Sequence, residues 1–392
     1  MKKLHPLLML FAGLGLFYSL NGQKTAGGVR RIHDQAIVVD THADTLQRVL
    51  IGKHDITQKL NSGHLDFPRM KQAGLDAEFF AIWVDSPYKG PSAIKRGLQL
   101  VDALYRMLAQ APEQASLAVN AADIERLAKA GKVAALMGIE GGHAIDNDLG
   151  VLRMFHRLGV RYMTLTWSNT NDWADSSGDT GRHNGLTAFG RQVVGEMNRI
   201  GMIVDISHVS DKTFWDTLAA TTKPVIASHS SARALSGAPR NMTDDMLRAV
   251  AKNGGVVGVN FYSAFLSDDF RQRSAAGPRA STIEELKLRF HGDLDKVAAE
   301  RYRSYERPSD VPPPPFSVLI DHIDHIAKVA GVDHVGLGSD FDGVDSMPAG
   351  MRDALDLPKI TAALLEKGYS EQEVHKMLGG NFLRVLRVVT GR

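Results

Sequence analysis

Five apolar runs of this chain each end on a histidine or a carboxylate, and this feature limits both the fold and the chemistry. The first run, residues 36–40, leads directly into His42 and Asp44. The other four runs end on Glu140, His208, His229 and Asp340. Parallel strands that are covered on both faces are continuously apolar, and side chains two residues apart on a strand point the same way. The pattern predicts buried strands with polar ends.

Eight apolar runs alternate with segments of helical periodicity. We expect strands near residues 36–41, 77–84, 133–139, 161–167, 202–206, 224–228, 255–261 and 334–338. Such alternation predicts an α/β chain folded as a closed (β/α)8 barrel of the TIM type. A doubly wound open sheet is the alternative. It is disfavoured because no G-x-G-x-x-G follows the first strand and because the polar residues follow many strands instead of one switch point.

Capping residues predict where several helices begin and end. We expect helices over residues 124–130, 186–200, 211–220, 244–253, 318–330 and 371–389. The expected N-caps are Asp123, Ser210, Thr243 and Ser317. Glycines at or just after the ends of most of these segments favour their termination there.

The segment over residues 266–316 breaks the alternation. It is rich in charge and runs into four prolines at 312–315, which favour an extended chain. We interpret it as an insertion between the seventh and eighth strands, with some helix over 283–305. Three roles are open for it: a lid over the barrel mouth, a contact with another subunit, and a surface insertion without a role of its own.

The first residues predict export from the cytoplasm. Lys2 and Lys3 precede an uncharged apolar stretch at 7–20, which is shorter than the ~20 apolar residues that cross a membrane. The pattern favours a signal peptide over residues 1–22, followed by a single domain over 23–392. We therefore expect a secreted protein without a stable membrane anchor after cleavage, and an uncleaved anchor is the alternative.

Composition excludes several classes of function. The chain has no cysteine, which rules out disulfides, thiolate ligands and a thiol nucleophile. Secretion without disulfides is compatible with a bacterial periplasm. Beyond Lys2 and Lys3 there are 44 basic and 44 acidic residues, and no tract is polybasic. We expect no nucleic-acid partner, because such binding depends on clustered positive charge.

The polar residues at the strand ends form a donor set for metal ions. Three are histidines and three are carboxylates: His42, Asp44, Glu140, His208, His229 and Asp340. A zinc ion takes about four protein ligands at most, so six candidates indicate two ions, with Glu140 placed to bridge them. Two ions ~3.5–4 Å apart can activate a shared water and polarise a carbonyl group.

Six segments together resemble the membrane (renal) dipeptidase family, which is peptidase family M19 of the amidohydrolase superfamily. They lie at 39–44, 138–143, 205–208, 227–232, 239–241 and 338–344, and the resemblance covers the chain from about 30 to 390. It implies a metal-dependent hydrolase with two zinc ions per chain. It also implies hydrolysis of dipeptides, including those with a C-terminal D-residue, by a hydroxide that bridges the metals. A homodimer is a further implication.

The resemblance gives individual residues a role. The implied metal ligands are His42, Asp44, Glu140, His208 and His229. Asp340 is implied as the catalytic residue that takes a proton from the bridging water and passes it to the leaving amine. Arg240 is implied to bind the terminal carboxylate of the substrate, a pairing that suits a planar guanidinium.

One position departs from the family. Members of the renal type carry a histidine after the fourth strand, where this chain has Trp167. An indole N–H donates a hydrogen bond but cannot carry a proton, so Asn169 or Asn171 is a candidate for the missing contact. We expect Trp167 and Asn169 to bind substrate. The departure keeps open a hydrolase of another amide or ester, such as an N-acyl amino acid, a lactam or a lactone.

A non-catalytic binding protein on the same scaffold is the third hypothesis. It is disfavoured because Asp340 is retained along with all five candidate metal ligands. Substitution of Asp340 distinguishes the two views, since ligand binding would survive in a binding protein while turnover would be lost in a hydrolase.

Overall fold

Eight parallel strands close into a barrel with helices on its outside. The computed structural model describes residues 25–277 and 281–391. The barrel strands are β1 Val39–Ala43, β2 Ala77–Trp83, β4 Val133–Glu140, β5 Val160–Thr164, β6 Ile203–Asp205, β7 Ile226–Ser230, β8 Val256–Val259 and β9 Val335–Leu337. They follow one another around the barrel in chain order, and pairing of β2 with β4 along seven residues completes the ring. The predicted (β/α)8 barrel is confirmed, and the open sheet is wrong.

A short ninth strand was not predicted. Strand β3, Ala115–Leu117, pairs with the first three residues of β4. Strand β5 then pairs with β4 from Met137 onward. Three residues are too few to show a strand period in the sequence, so the pattern could not reveal β3.

The helices between the strands match most of the predicted segments. They are α1 Ala26–Gln35, α2 Thr45–Leu50, α3 Phe67–Ala73, α4 Pro91–Gln110, α5 Ala121–Lys129, α6 Leu149–Arg157, α7 Ala188–Ile200, α8 Asp211–Ala220, α9 Asp244–Asn253, α10 Ser263–Leu266, α11 Asp268–Ala275, α12 Ile283–Arg289, α13 Leu294–Tyr305, α14 Phe316–Ala330, α15 Pro358–Glu366, α16 Glu371–His375 and α17 Asn381–Thr390. The side chains of Ser210 and Thr243 cap α8 and α9 as predicted.

Two predicted caps and one predicted helix are wrong. The side chain of Asn120, not that of Asp123, caps α5, and its oxygen accepts from the Asp123 amide. Helix α14 begins after Pro315, so Ser317 lies inside its first turn. The long C-terminal helix is broken into α16 and α17 by a π-helical segment, Lys376–Gly380. A Cβ at Gly379 would lie 2.1 Å from the Ile37 carbonyl oxygen, so the close approach of this segment to β1 requires glycine.

The core has two parts. A large cluster fills the layer between the barrel and its helices. A second cluster fills the barrel interior at the amino ends of the strands, where Phe79 and Tyr162 meet Phe382 and Leu386 of α17. Phe79 packs against Tyr162 with ring centroids 5.0 Å apart and against Phe382 at 5.1 Å. Helix α17 thus closes the end of the barrel opposite the mouth.

The predicted insertion contains α11, α12 and α13. Tyr302 of α13 reaches the cavity at the barrel mouth, which favours the lid among the three roles left open. The predicted signal over residues 1–22 lies outside the described residues, so export to a periplasm stays a prediction. Across residues 25–277 and 281–391, every helix falls short of the length and apolarity that a membrane span requires.

Candidate metal centre

The barrel mouth gathers the polar residues that follow the strands. His42 lies in β1, Glu140 ends β4 and His229 lies in β7. Asp44 immediately follows β1, while His208 and Asp340 come three residues after β6 and β9. The carboxyl ends of all barrel strands face one mouth. The structure therefore brings together the six residues that the sequence singled out, and all are buried.

Glu140 lies at the centre of this group. Its Oε1 is 2.8 Å from His208 Nε2 and 3.4 Å from His229 Nε2. Its Oε2 is 3.4 Å from His42 Nε2, and that nitrogen is 3.6 Å from Asp44 Oδ2. One carboxylate thus faces histidines on two sides, which is the arrangement of a bridging ligand.

Hydrogen bonds fix which nitrogen two of these histidines present. Tyr162 donates its hydroxyl to the Thr41 carbonyl at 3.1 Å, so its oxygen accepts from His42 Nδ1 at 2.8 Å. Ser228 donates to Asp205 at 2.6 Å, so its hydroxyl oxygen accepts from His229 Nδ1 at 2.8 Å. Both imidazoles therefore turn Nε2 toward Glu140, which is how outer contacts orient metal ligands. Burial would lower the pKa of His42, but Tyr162 and Glu140 hold it well above its usual value, so this nitrogen binds a metal only once it has lost its proton.

His208 and Asp340 occupy an unusual backbone conformation. Their φ angles are 66° and 64°, in the left-handed region that non-glycine residues rarely adopt. Such strain, of order 1–3 kcal/mol per residue, tends to cluster at functional sites. It lets the chain turn sharply after β6 and β9, so that both side chains face the mouth.

Burial and charge tune the protonation of the site. Burial lowers the pKa of His208 and of His229, so both are neutral at pH 7, as a metal ligand must be. Burial would raise the pKa of Glu140, but the three neighbouring imidazoles hold it well below its usual value. Burial and the Glu140 charge raise the pKa of Asp44 to about 7. A cation bound between these two carboxylates would favour the charged form of both.

Unsatisfied polar atoms show that the site fits a metal. His42 Nε2 and Asp44 Oδ1 are buried without a hydrogen-bond partner, a state that costs free energy unless a ligand is bound. Ligand atoms of His42, Glu140 and His229 lie within 4.8 Å of one another, and so do those of His42, Asp44 and Asp340. Imidazole nitrogens and carboxylate oxygens, the donors in these two groups, are ligands that divalent metal ions take in proteins.

A cavity of about 200 Å³ opens over this cluster. It is lined by Asp44, Gln47, Trp83, Glu140, Trp167, Ser168, His208, Tyr262, Phe265, Tyr302, Asp340, Asp342, Gly343 and Val344. Carboxylates and a histidine form its floor, while aromatic rings form much of its wall. A small apolar cavity with a few convergent polar groups is the usual form of a small-molecule site.

Arg240 supplies a buried positive charge beside the metal ligands. Its Nη2 donates to the His229 carbonyl at 2.9 Å and its Nη1 to Ser230 Oγ at 3.3 Å. Its Nε is buried without a partner, and among the described residues no carboxylate forms an ion pair with it. Burial lowers its pKa to about 10, so it stays charged at neutral pH. A buried guanidinium without a counter-ion is suited to bind an anionic ligand.

The structure separates the two residues that were predicted to bind substrate after β5. Trp167 lines the cavity, with its ring centroid 6.4 Å from that of His208. Asn169 lines a different cavity, next to His143, and so does not face the metal cluster. Asn171, the other candidate, is used locally, because its Oδ1 accepts from the Trp173 and Ala174 amides.

Comparisons with known proteins agree with this site. The model of the family described as membrane dipeptidase (peptidase family M19) matches residues 27–391. The chain belongs to peptidase family M19. A dipeptidase, tcpJ, of Claviceps purpurea is 36% identical to this M19 chain over 338 residues, which are 84% of the chain and 70% of that protein.

Solved structures give the same result. A crystal structure described as a dipeptidase and metallopeptidase of family M19 is 31% identical and superposes with a TM-score of 0.76, covering 91% of this chain and 99% of that one. A metallopeptidase of Rhodobacter sphaeroides, solved with a phosphinate mimic of the dipeptide L-Ala-D-Ala, is 30% identical with a TM-score of 0.74 and coverages of 91% and 100%. The protein is therefore a metallo-dipeptidase.

Several features of this site were not visible in the sequence. Tyr162, Asp205 and Ser228 orient the histidines, yet each lies within an apolar run that does not show which histidine it contacts. Trp83, at the end of β2, also has the sequence pattern of a core residue, although it lines the cavity. Their position at the carboxyl ends of β2 and β6 was the available signal for Trp83 and Asp205.

Proposed function

We propose that this metallo-dipeptidase uses two zinc ions held by His42, Asp44, Glu140, His208 and His229, and that it accepts dipeptides with an L- or a D-residue at the C-terminus. The carboxylate of Glu140 between His42 and His208 carries this proposal, because it fits a ligand shared by two ions. When bound, two zinc ions activate a water molecule and polarise the peptide carbonyl. The D-residue is supported by the Rhodobacter sphaeroides relative, which was solved with a mimic of L-Ala-D-Ala.

Asp340 is proposed to move the proton. Its Oδ2 accepts from Asn260 Nδ2 at 2.9 Å, which holds the carboxylate next to Asp44 and leaves Oδ1 for the reaction. A carboxylate at this point can take a proton from the attacking water and pass it to the nitrogen of the broken bond. The peptide bond gains one water, and both products leave as amino acids.

Arg240 is proposed to bind the substrate's terminal carboxylate. It is buried and donates to the His229 carbonyl, and its Nε has no partner among the described residues. A carboxylate there would be fixed by charge-assisted hydrogen bonds. This contact limits substrates to those whose carboxylate lies one residue from the scissile bond, which explains an activity restricted to dipeptides.

The test is hydrolysis of a panel of L-Xaa-L-Xaa and L-Xaa-D-Xaa dipeptides, with metal content measured on the same sample. We expect about two zinc ions per chain, turnover that is lost on chelation, and a fall of at least about 10³-fold in kcat for Asp340→Asn. Asp245→Asn is the matched control, because that aspartate lies on the surface of α9 in an ion pair with Arg248. Two metals without cleavage of any dipeptide would contradict the proposal and favour another amide or ester.

A further inference from the structure

Aromatic rings occupy two opposite sides of the cavity. Tyr262 and Phe265 follow β8, and Arg240 stands beside them with its guanidinium carbon 5.3 Å from the Phe265 ring centroid. Trp83 ends β2 and Trp167 follows β5. In the barrel, β4 lies between β2 and β5, and β8 lies across the ring from β4. The two tryptophans therefore face the Arg240 side across the metal cluster.

The tryptophan side is built as a rigid wall. The Trp83 and Trp167 ring centroids are 5.0 Å apart, and the ring planes are inclined by 59°. On α13, Arg301 places its guanidinium carbon 5.9 Å from the Trp167 ring centroid. Arg301 is itself held by Asp85, which is buried and accepts from its Nε at 2.7 Å. Trp167 is thus packed between a second indole and a fixed cation.

The charge of this wall is balanced. The Asp85 carboxylate pairs with Arg301, so the wall offers the substrate aromatic surface and a cation that is already paired. Two inclined indoles bind a flat ring well, because aromatic pairs prefer edge-to-face or offset arrangements with centroids 4.5–7 Å apart. An aliphatic side chain of the substrate would be stabilised there only by its burial. A carboxylate side chain would find no unpaired cation to bind.

We infer that Trp83 and Trp167 form the pocket for the side chain of the substrate's first residue and that this pocket selects aromatic side chains. The inference rests on the proposed function, in which Arg240 binds the carboxylate of the second residue. With that carboxylate on the β7 side and the peptide carbonyl over Glu140, the first residue extends to the far wall. Two residues span roughly 7 Å when extended, so a dipeptide held by its carboxylate extends past the metal ligands toward the opposite wall.

The test compares kcat/KM for Phe-Ala, Leu-Ala, Glu-Ala and Ala-Ala in the zinc-loaded enzyme. We expect Phe-Ala to exceed Ala-Ala by at least about tenfold. Trp83→Ala and Trp167→Ala should each lower that ratio by about tenfold, mainly through KM, while the ratio of Ala-Phe to Ala-Ala changes less than about twofold. Trp83→Phe and Trp167→Phe should keep most of the preference, which separates loss of the ring from loss of the fold.

Trp215→Ala is the matched control, because this tryptophan is 44% exposed on α8 and outside the cavity. The rise in unfolding temperature on binding of phosphinate mimics of Phe-Ala and Ala-Ala gives the same comparison without turnover. Equal kcat/KM values for Phe-Ala and Ala-Ala, or a preference unchanged in both alanine variants, would overturn the inference. A preference for Glu-Ala would overturn it as well, since Arg301 would then be the selecting group. Failure to cleave any dipeptide would instead contradict the proposed function.

Discussion

Gly343 leaves no room for a methyl group beside the metal ligands. A Cβ built on this residue would lie 2.2 Å from Asp44 Oδ2 and 2.6 Å from Asp340 Oδ1. Its φ lies outside the left-handed region, so alanine is compatible with the backbone and the effect is steric. An ordinary contact begins at 3.4 Å, so the Asp44 oxygen would have to move by about 1.2 Å, the difference between 3.4 Å and 2.2 Å.

Gly343→Ala should therefore impair the metal centre while leaving the barrel folded. Metal–ligand distances tolerate about 0.2 Å, and a misplacement of about 1 Å costs roughly 10²-fold in rate. We expect zinc affinity to fall at least about tenfold and kcat/KM about 100-fold. Zinc affinity is measured by competition with a chelator, and thermal unfolding of the metal-free protein reports the fold.

Gly195→Ala is the control for this experiment. Gly195 lies on the exposed face of α7, and a Cβ there would have no atom within 4 Å. Alanine in a helix interior is favoured over glycine by about 0.5–1 kcal/mol, so this variant should bind zinc normally and unfold at a slightly higher temperature. Wild-type zinc affinity and kcat/KM in Gly343→Ala would refute the steric argument.

Three further predictions follow from buried contacts. Tyr162→Phe removes the acceptor for His42 Nδ1 and should weaken zinc binding by about 10- to 100-fold in a chelator competition; an unchanged affinity would show that the tyrosine only fills space. Arg240→Lys replaces the planar guanidinium by an ammonium group and should raise KM for dipeptides by at least about tenfold, with a smaller change in kcat. An unchanged KM would show that Arg240 does not bind the substrate carboxylate. Burial lowers the pKa of His322 from 6.5 to about 4. The neutral side chain therefore contributes fully to the free energy of unfolding above pH 6.5. This contribution is lost as the pH falls toward 4, because the unfolded chain then binds a proton that the folded chain does not. In urea unfolding of the metal-free protein, the free energy of unfolding should fall between pH 7 and pH 4 by about 3 kcal/mol more in the wild type than in His322→Gln. Parallel pH profiles of the two proteins would contradict this.

The sequence predicted the barrel and the metal cluster because both depend on simple patterns. Long apolar runs mark buried strands, and a polar residue at the end of such a run has few structural reasons to be there. The same logic located His42, Glu140 and Asp340 without knowledge of their contacts. It depends on the rule that strand ends of a barrel share one mouth, which makes distant residues neighbours.

Contacts between distant residues were not predictable in this way. His322 lies on α14, and two contacts far away in the sequence define its role: its Nδ1 accepts from the Ala232 amide and its Nε2 donates to the Leu266 carbonyl. Asn169 was expected at the metal cavity because it is close in sequence to Trp167, but the chain turns between them. Caps such as Asn120 depend on a choice among neighbouring polar residues, which local chemistry alone does not decide.

Closure of the barrel by α17 has a consequence for biosynthesis. The interior residues of strands from β1 to β8 lack cover on one side until Phe382, Leu383 and Leu386 arrive. Tyr162, which orients His42, belongs to the same cluster. The metal centre therefore cannot be completed until residues 381–390 have been made and can pack, so the chain holds an unfinished core until its last segment is available.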